Sequence, residues 1–267
     1  MTELGNVKDV KERTGEEFLV SSAGRYLTDK EYEVHEDTNY DPEIRSDGRM
    51  FVPTNCGGTD SKVGIELFLL LRQAMSTKPK ELEKYAWKGA ETKDAEGNRQ
   101  IEEEPHRHML TRRLAEEAFE ILEEMRVDNV GGKKIYPAAD FYLGRARAWW
   151  RANKTAPRDL KELTTDPMVV LYHMLDGTDL SRLVFNRNMR MHLRRIAAKL
   201  NADGFKDMSK SEKLVPLVDY VVGELEKYYI DKDGKETCPR LTHLIGRGTA
   251  SEKPKFEDAD QEPMASP

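Results

Sequence analysis

The chain has 267 residues, 38% of them apolar and 34% charged, with two cysteines and a formal net charge of −6. Its longest apolar run, Leu67 to Leu71, falls far short of the roughly 20 residues needed to cross a bilayer. Met1 to Gly5 has neither the basic nor the apolar region of a signal peptide, and Cys56 and Cys238 stand far apart without CxxC partners. That pattern argues against a disulfide framework and a thiolate zinc site, and for a cytoplasmic or virion-interior setting rather than secretion.

Charge is divided unevenly along the chain. Residues 1–60 hold 7 Lys and Arg against 14 Asp and Glu, and residues 61–140 hold 14 against 16. Residues 141–214 reverse the balance, 15 against 8, and residues 215–267 restore it, 7 against 11. A polyanion is therefore attracted to the centre and repelled by the ends.

In chain order, residues 1–58 show no sustained periodicity. Phe18-Leu19-Val20 and the alternation from Tyr26 to Val34 suggest short strands, but Gly24, Asn39, Pro42, Gly48 and Pro53 interrupt them. This stretch reads as an N-terminal arm, irregular or weakly β. Residues 59–230 read as a mainly α core of about six to eight helices. Thr59, Asp60 or Ser61 caps a helix to about Met75, and Pro79 opens a short one through Tyr85 and Trp87. Residues 90–105 form a charged, solvated insertion.

Residues 109–126 give the clearest amphipathic helix, with Leu110, Leu114, Ala118, Ile121, Leu122 and Met125 on one face. Glu116, Glu117, Glu120, Glu123 and Glu124 are expected to cover the rest, and Gly131-Gly132 to stop the chain. Further helices are expected from Pro137 to about Asn153, from Pro157, from Pro167 to Gly177, from Asp179 or Ser181 to about Asn201, and from Ser211 to Tyr229. Residues 231–267 read as a turn or small hairpin followed by an acidic, disordered tail.

The chemistry concentrates in two of these helices. On the long helix, Phe185, Met189, Leu193, Ile196 and Leu200 form one apolar stripe, while Arg187, Arg190 and Arg194 lie opposite it, flanked by Arg195 and Lys199. On the Pro137 helix, Arg147, Arg151 and Lys154 form a row beside Trp149-Trp150. Arginine's planar fork matches phosphate oxygens, and basic rows interleaved with aromatic rings suit single-stranded nucleic acid. The competing reading is a solvated or partner-docking basic face, with the tryptophans as core anchors.

Other constellations are weaker. His106-Arg107-His108 lacks the downstream ligands of a metal hydrolase, and His192 falls on a mixed helix edge that suits a polar surface residue. Cys56 to Lys62 lacks P-loop spacing, and Asp231-Lys232-Asp233-Gly234 lacks the closing ligands of a calcium loop. No nucleophile motif, metal site or cofactor signature is found, so a non-enzymatic role is expected.

The layout of arm, basic helical core and acidic tail is similar to that of many nucleoproteins and filament-forming coat proteins, a likeness of organisation without a shared motif. The expected function is binding of single-stranded nucleic acid through Arg147, Arg151, Lys154, Arg187, Arg190, Arg194 and Arg195, with homo-oligomerisation through the terminal arms. The alternative is a structural or adaptor protein whose basic helix docks an acidic protein partner.

Overall fold

Eleven of the twelve residues from Ser61 to Arg72 are buried, Lys62 alone being half-exposed, and the fold is arranged around them. The computed structural model describes residues 15–37, 42–89, 91–93, 99–101, 105–150, 167–177 and 187–229. It is mainly α-helical, with one small three-stranded sheet and one two-stranded ladder among the described residues.

The central helix, α2 (Thr59–Met75), starts after Gly58 at φ 122° and has no side-chain cap, so the expected Thr, Asp or Ser cap is replaced by a glycine turn with Asp60 in the first turn. Helix α4 (Asp140–Trp150) crosses it closely. Gly64 permits that approach, because a Cβ there would stand 2.1 Å from the Tyr142 carbonyl oxygen. No side chain fits at that separation.

The N-terminal expectation is corrected in part. Residues Gly15–Thr28 form a helix, α1, rather than irregular or strand-like chain. Val20, Ala23 and Leu27 recur at helical spacing, and the first two are buried against the α2 side of the core. Packing on α2 outweighs the local β preference of Phe18-Leu19-Val20. Strands β1 (Glu33–Asp37), β2 (Glu43–Ile44) and β3 (Arg49–Pro53) follow, in the order β1-β3-β2, with β1 parallel and β2 antiparallel to β3. Ile44, Met50 and Val52 join Val63, Ile65 and Leu69 in this first core, so residues 15–58 are packed structure except for the undescribed residues 38–41.

The segment after α2 contains a 3₁₀ turn at Lys80–Tyr85 and, in the charged insertion, strands β4 (Glu91–Lys93) and β5 (Arg99–Ile101) paired antiparallel. A second core then forms from α3 (His106–Arg126), α5 (Pro167–Asp176), α6 (Arg187–Ala202) and α7 (Val215–Tyr229). The stripe expected on α3 is buried throughout, each Leu or Ile contributing about 1.5–3 kcal/mol. The stripe on α6 is buried at Met189, Leu193, Ile196 and Leu200, while Phe185 lies outside the described residues. Residues 151–166, with the expected Pro157 helix, and 230–267 lie outside them as well.

Two further expectations fail around α3. Glu117, Glu123 and Glu124 are buried instead of covering a solvated face. Gly131-Gly132 do not break the chain: α3 runs directly into a π-helical segment, Val127–Ile135. Here the glycines serve packing, since a Cβ on Gly131 would lie 3.1 Å from Leu71 and one on Gly132 2.7 Å from Leu143. The π segment thus carries the chain from the second core to the first.

Candidate functional site

The basic face expected on the long helix is present on α6. Arg187, Arg194 and Arg195 are exposed and Arg190 is half-buried, on the side away from the buried stripe. Together with Asn188 and Met191 they line one shallow surface depression. Met191 is 42% exposed and is the apolar contact surface among these cations. The face meets some acid: Arg195 comes within 4.0 Å of Glu224, and Lys199 pairs with Asp203 at 3.0 Å. Glu224 is already engaged by Lys227 at 2.6 Å and His192 Nδ1 at 2.9 Å, which together hold its carboxyl below the usual range.

His192 corrects another expectation. It is buried between α6 and α7 on Glu224, and is not a surface residue. The buried stripe of α6 is therefore wider than the apolar residues alone indicate.

The second basic row lies elsewhere. Arg147 is 35% exposed and pairs with Asp128 at 2.6 Å, inside a cleft that none of the α6 arginines line. Arg151 and Lys154 lie outside the described residues. Trp149 packs on the first core, where a Cβ on Gly57 would stand 2.6 Å from its ring, so it anchors the fold. The aromatic interleaving expected beside the basic rows is absent from α6 itself.

Comparison with protein-family models, curated proteins and solved structures yields no match to this chain.

The cleft holding Arg147 is the other notable site. It occupies about 160 Å³ where the two cores meet, with Phe68 and Leu143 from the first and Met125 and Tyr172 from the second. Glu124 and Asp128 reach it from successive turns at the end of α3 and the start of the π segment, a helix type frequent at functional sites. Burial pushes the Glu124 carboxyl up to about 8 and the Asp128 carboxyl up to about 6, the latter despite Arg147 beside it. Lys206 donates to the Leu175 carbonyl at 2.5 Å, and burial lowers its pKa.

Sequence reading missed these residues, although a signal existed. Glu117 and Glu124 are seven residues apart with Ile121 between them, which places two carboxylates on the edge of the buried stripe. Beside the cleft lies a fully buried network: Arg126 makes two bonds of 2.7 Å to Glu123 and donates to the Met75 carbonyl at 3.1 Å. Ser211 Oγ donates to Glu123 at 2.8 Å, and Arg72 pairs with Glu120 nearby.

One remaining candidate is chemically quiet. Cys56 is buried, its thiol pushed up to about 11 by burial and lying 2.5 Å from the Pro53 carbonyl oxygen. Among the described residues no group of three or more His, Cys, Asp or Glu is placed to hold a metal ion, and no helix is long and apolar enough to cross a membrane.

Proposed function

We propose that the chain is a non-enzymatic nucleic-acid-binding protein of nucleoprotein or coat type, contacting the phosphate backbone of a single strand through α6. The observation that carries this reading is the exposed set Arg187, Arg194 and Arg195, which lines one depression with Arg190 opposite the buried stripe. Guanidinium forks bind phosphate oxygens in pairs, and the exposed Met191 offers an apolar surface to a base. The net charge of −6 opposes approach at long range, so binding is local to this face and strongly salt-dependent. Arg147, Arg151 and Lys154 form a secondary part of the proposal, Arg147 having Asp128 as its neighbour. Self-assembly through the terminal segments, residues 1–14 and 230–267, completes it.

Single-stranded RNA and DNA binding across a salt series tests the reading, using the wild type and Arg187/Arg190/Arg194→Glu. Removing three phosphate contacts flattens the slope of log affinity against log salt by about 2. A folded wild type that binds neither polymer at low salt overturns the proposal. If the variant instead loses self-association in the absence of nucleic acid, the basic face docks an acidic protein segment, and the adaptor reading replaces this one. Removal of residues 230–267 is expected to weaken self-association in sedimentation velocity.

A further inference from the structure

Glu124 is 5% exposed, yet only one of its carboxyl oxygens is used. Oε1 accepts from the Tyr172 hydroxyl at 3.3 Å, while Oε2 meets no donor among the described residues. A buried polar atom left unmet is costly, so this oxygen lacks a partner that the surrounding described residues do not supply. Glu124 lines the cavity of about 160 Å³ between the cores. A cavity of about 150 Å³ holds a molecule the size of benzene, so about six non-hydrogen atoms fit here.

The charges around it decide which ligand chemistry the cavity takes. Arg147 is engaged by Asp128 through one terminal nitrogen, while its buried Nε meets no acceptor among the described residues, and the Lys206 ammonium is engaged by the Leu175 carbonyl. Lys133 and Asp140 are exposed, and Asp176 adds a further carboxylate from α5. Arg72 from α2 favours the ionised form of Glu124 electrostatically, whereas Glu120 and Asp128 oppose it. With Glu124 ionised the lining carries four carboxylates against three cations, so the charge still to be balanced is positive, and the walls beyond, Phe68, Leu143 and Met125, are apolar.

We propose that this cavity binds a small primary amine, its ammonium group on the Glu124 carboxyl and its carbon chain against Phe68, Leu143 and Met125. The site is separate from the α6 face and does not depend on nucleic-acid binding. Because burial pushes the free Glu124 carboxyl up to about 8, the empty cavity carries a proton there at neutral pH. An incoming ammonium displaces it, and binding releases close to one proton.

The test is calorimetry of the full chain at pH 7 with n-butylammonium, run in phosphate and in HEPES, whose different ionisation heats report the proton count. Butanol and butyrate are the size-matched controls. Saturable one-site binding of butylammonium is expected, about tenfold or more tighter than either control, as a charge-assisted hydrogen bond implies. Glu124→Gln should lose that preference and the proton release while keeping its thermal transition. Glu124→Asp, which keeps the charge but withdraws it by one methylene, should weaken binding severalfold and guards against a Gln variant that fails to fold. No saturation by butylammonium means a cavity filled by water alone and overturns the proposal. Equal binding of all three probes, or proton release unchanged in Glu124→Gln, overturns it as well.

Discussion

Two sets of arginines stand in opposite environments in this molecule. Arg126 is fully buried where the cores meet, its fork closed on Glu123 and its remaining donors spent on the Met75 and Met208 carbonyls. Arg187, Arg194 and Arg195 project from α6 into solvent, with Arg195 the closest of them to an acid, at 4.0 Å. Both sets lie on helices, in sequence stretches rich in charge. The difference teaches that an arginine's role follows from the elements packed around it, more than from the charge row it belongs to.

The sharpest way to break the comparison is to remove the buried member. Arg126→Met leaves Glu123, 1% exposed, without its cationic partner and removes the guanidinium's bonds to the Met75 carbonyl and Ser211 Oγ. Loss of one partner from a buried pair costs about 3–5 kcal/mol. Denaturant unfolding should show a loss of that order, and a loss below about 1 kcal/mol would place the network among decorative ion pairs.

Glu124 provides the next largest effect, through pH. Its folded-state carboxyl is raised from 4.5 to about 8, so the folded protein keeps a proton that the unfolded chain has lost. Stability tied to this group is complete below the ordinary carboxylate value and is lost as pH rises through about 8. Asp128, raised from 3.8 to about 6, acts in the same direction. Glu124→Gln stays neutral at every pH, and between pH 5 and 8 it should escape about 3 kcal/mol of the wild type's decline. Unfolding curves at the two pH values, wild type beside variant, measure this directly. Parallel pH profiles would mean that Glu124 is ionised in the folded protein.

The comparison also shows what the sequence makes legible. Helices α3, α6 and α7 follow from apolar spacing because each buries a stripe, α2 follows from an apolar run buried on all sides, and the α6 basic face follows as the complement of its stripe. Residues 15–28 were not legible as helix, since Val20 and Ala23 acquire meaning only from α2 lying across them. Nor were the glutamates of α3. Glu117, Glu123 and Glu124 look like a solvated face until a second core closes over that side, and Arg126 looks like an ordinary last-turn cation. Long-range packing decides these cases, and its one local trace is the seven-residue spacing of Glu117 and Glu124 around Ile121. The cleft is invisible for the same reason: it exists only where two separately legible cores touch.

The smallest effect separates the two arginine sets by geometry with charge held constant. Arg126→Lys keeps the cation but cannot reproduce a bidentate fork and two carbonyl bonds from one ammonium, so it should still cost about 2 kcal/mol or more. Arg187/Arg190/Arg194→Lys replaces two solvent-facing groups and the half-buried Arg190, and the changes at Arg187 and Arg194 should each stay within about 0.5 kcal/mol of neutral. If α6 binds phosphates, the triple lysine variant retains the salt slope, because the number of displaced counterions is unchanged, while affinity falls severalfold as the forks are lost. A slope that drops along with affinity would mean that lysines at these positions no longer reach the backbone. Unchanged slope and unchanged affinity would reduce the α6 face to a charge cloud, and the contrast with Arg126 would then be one of burial alone.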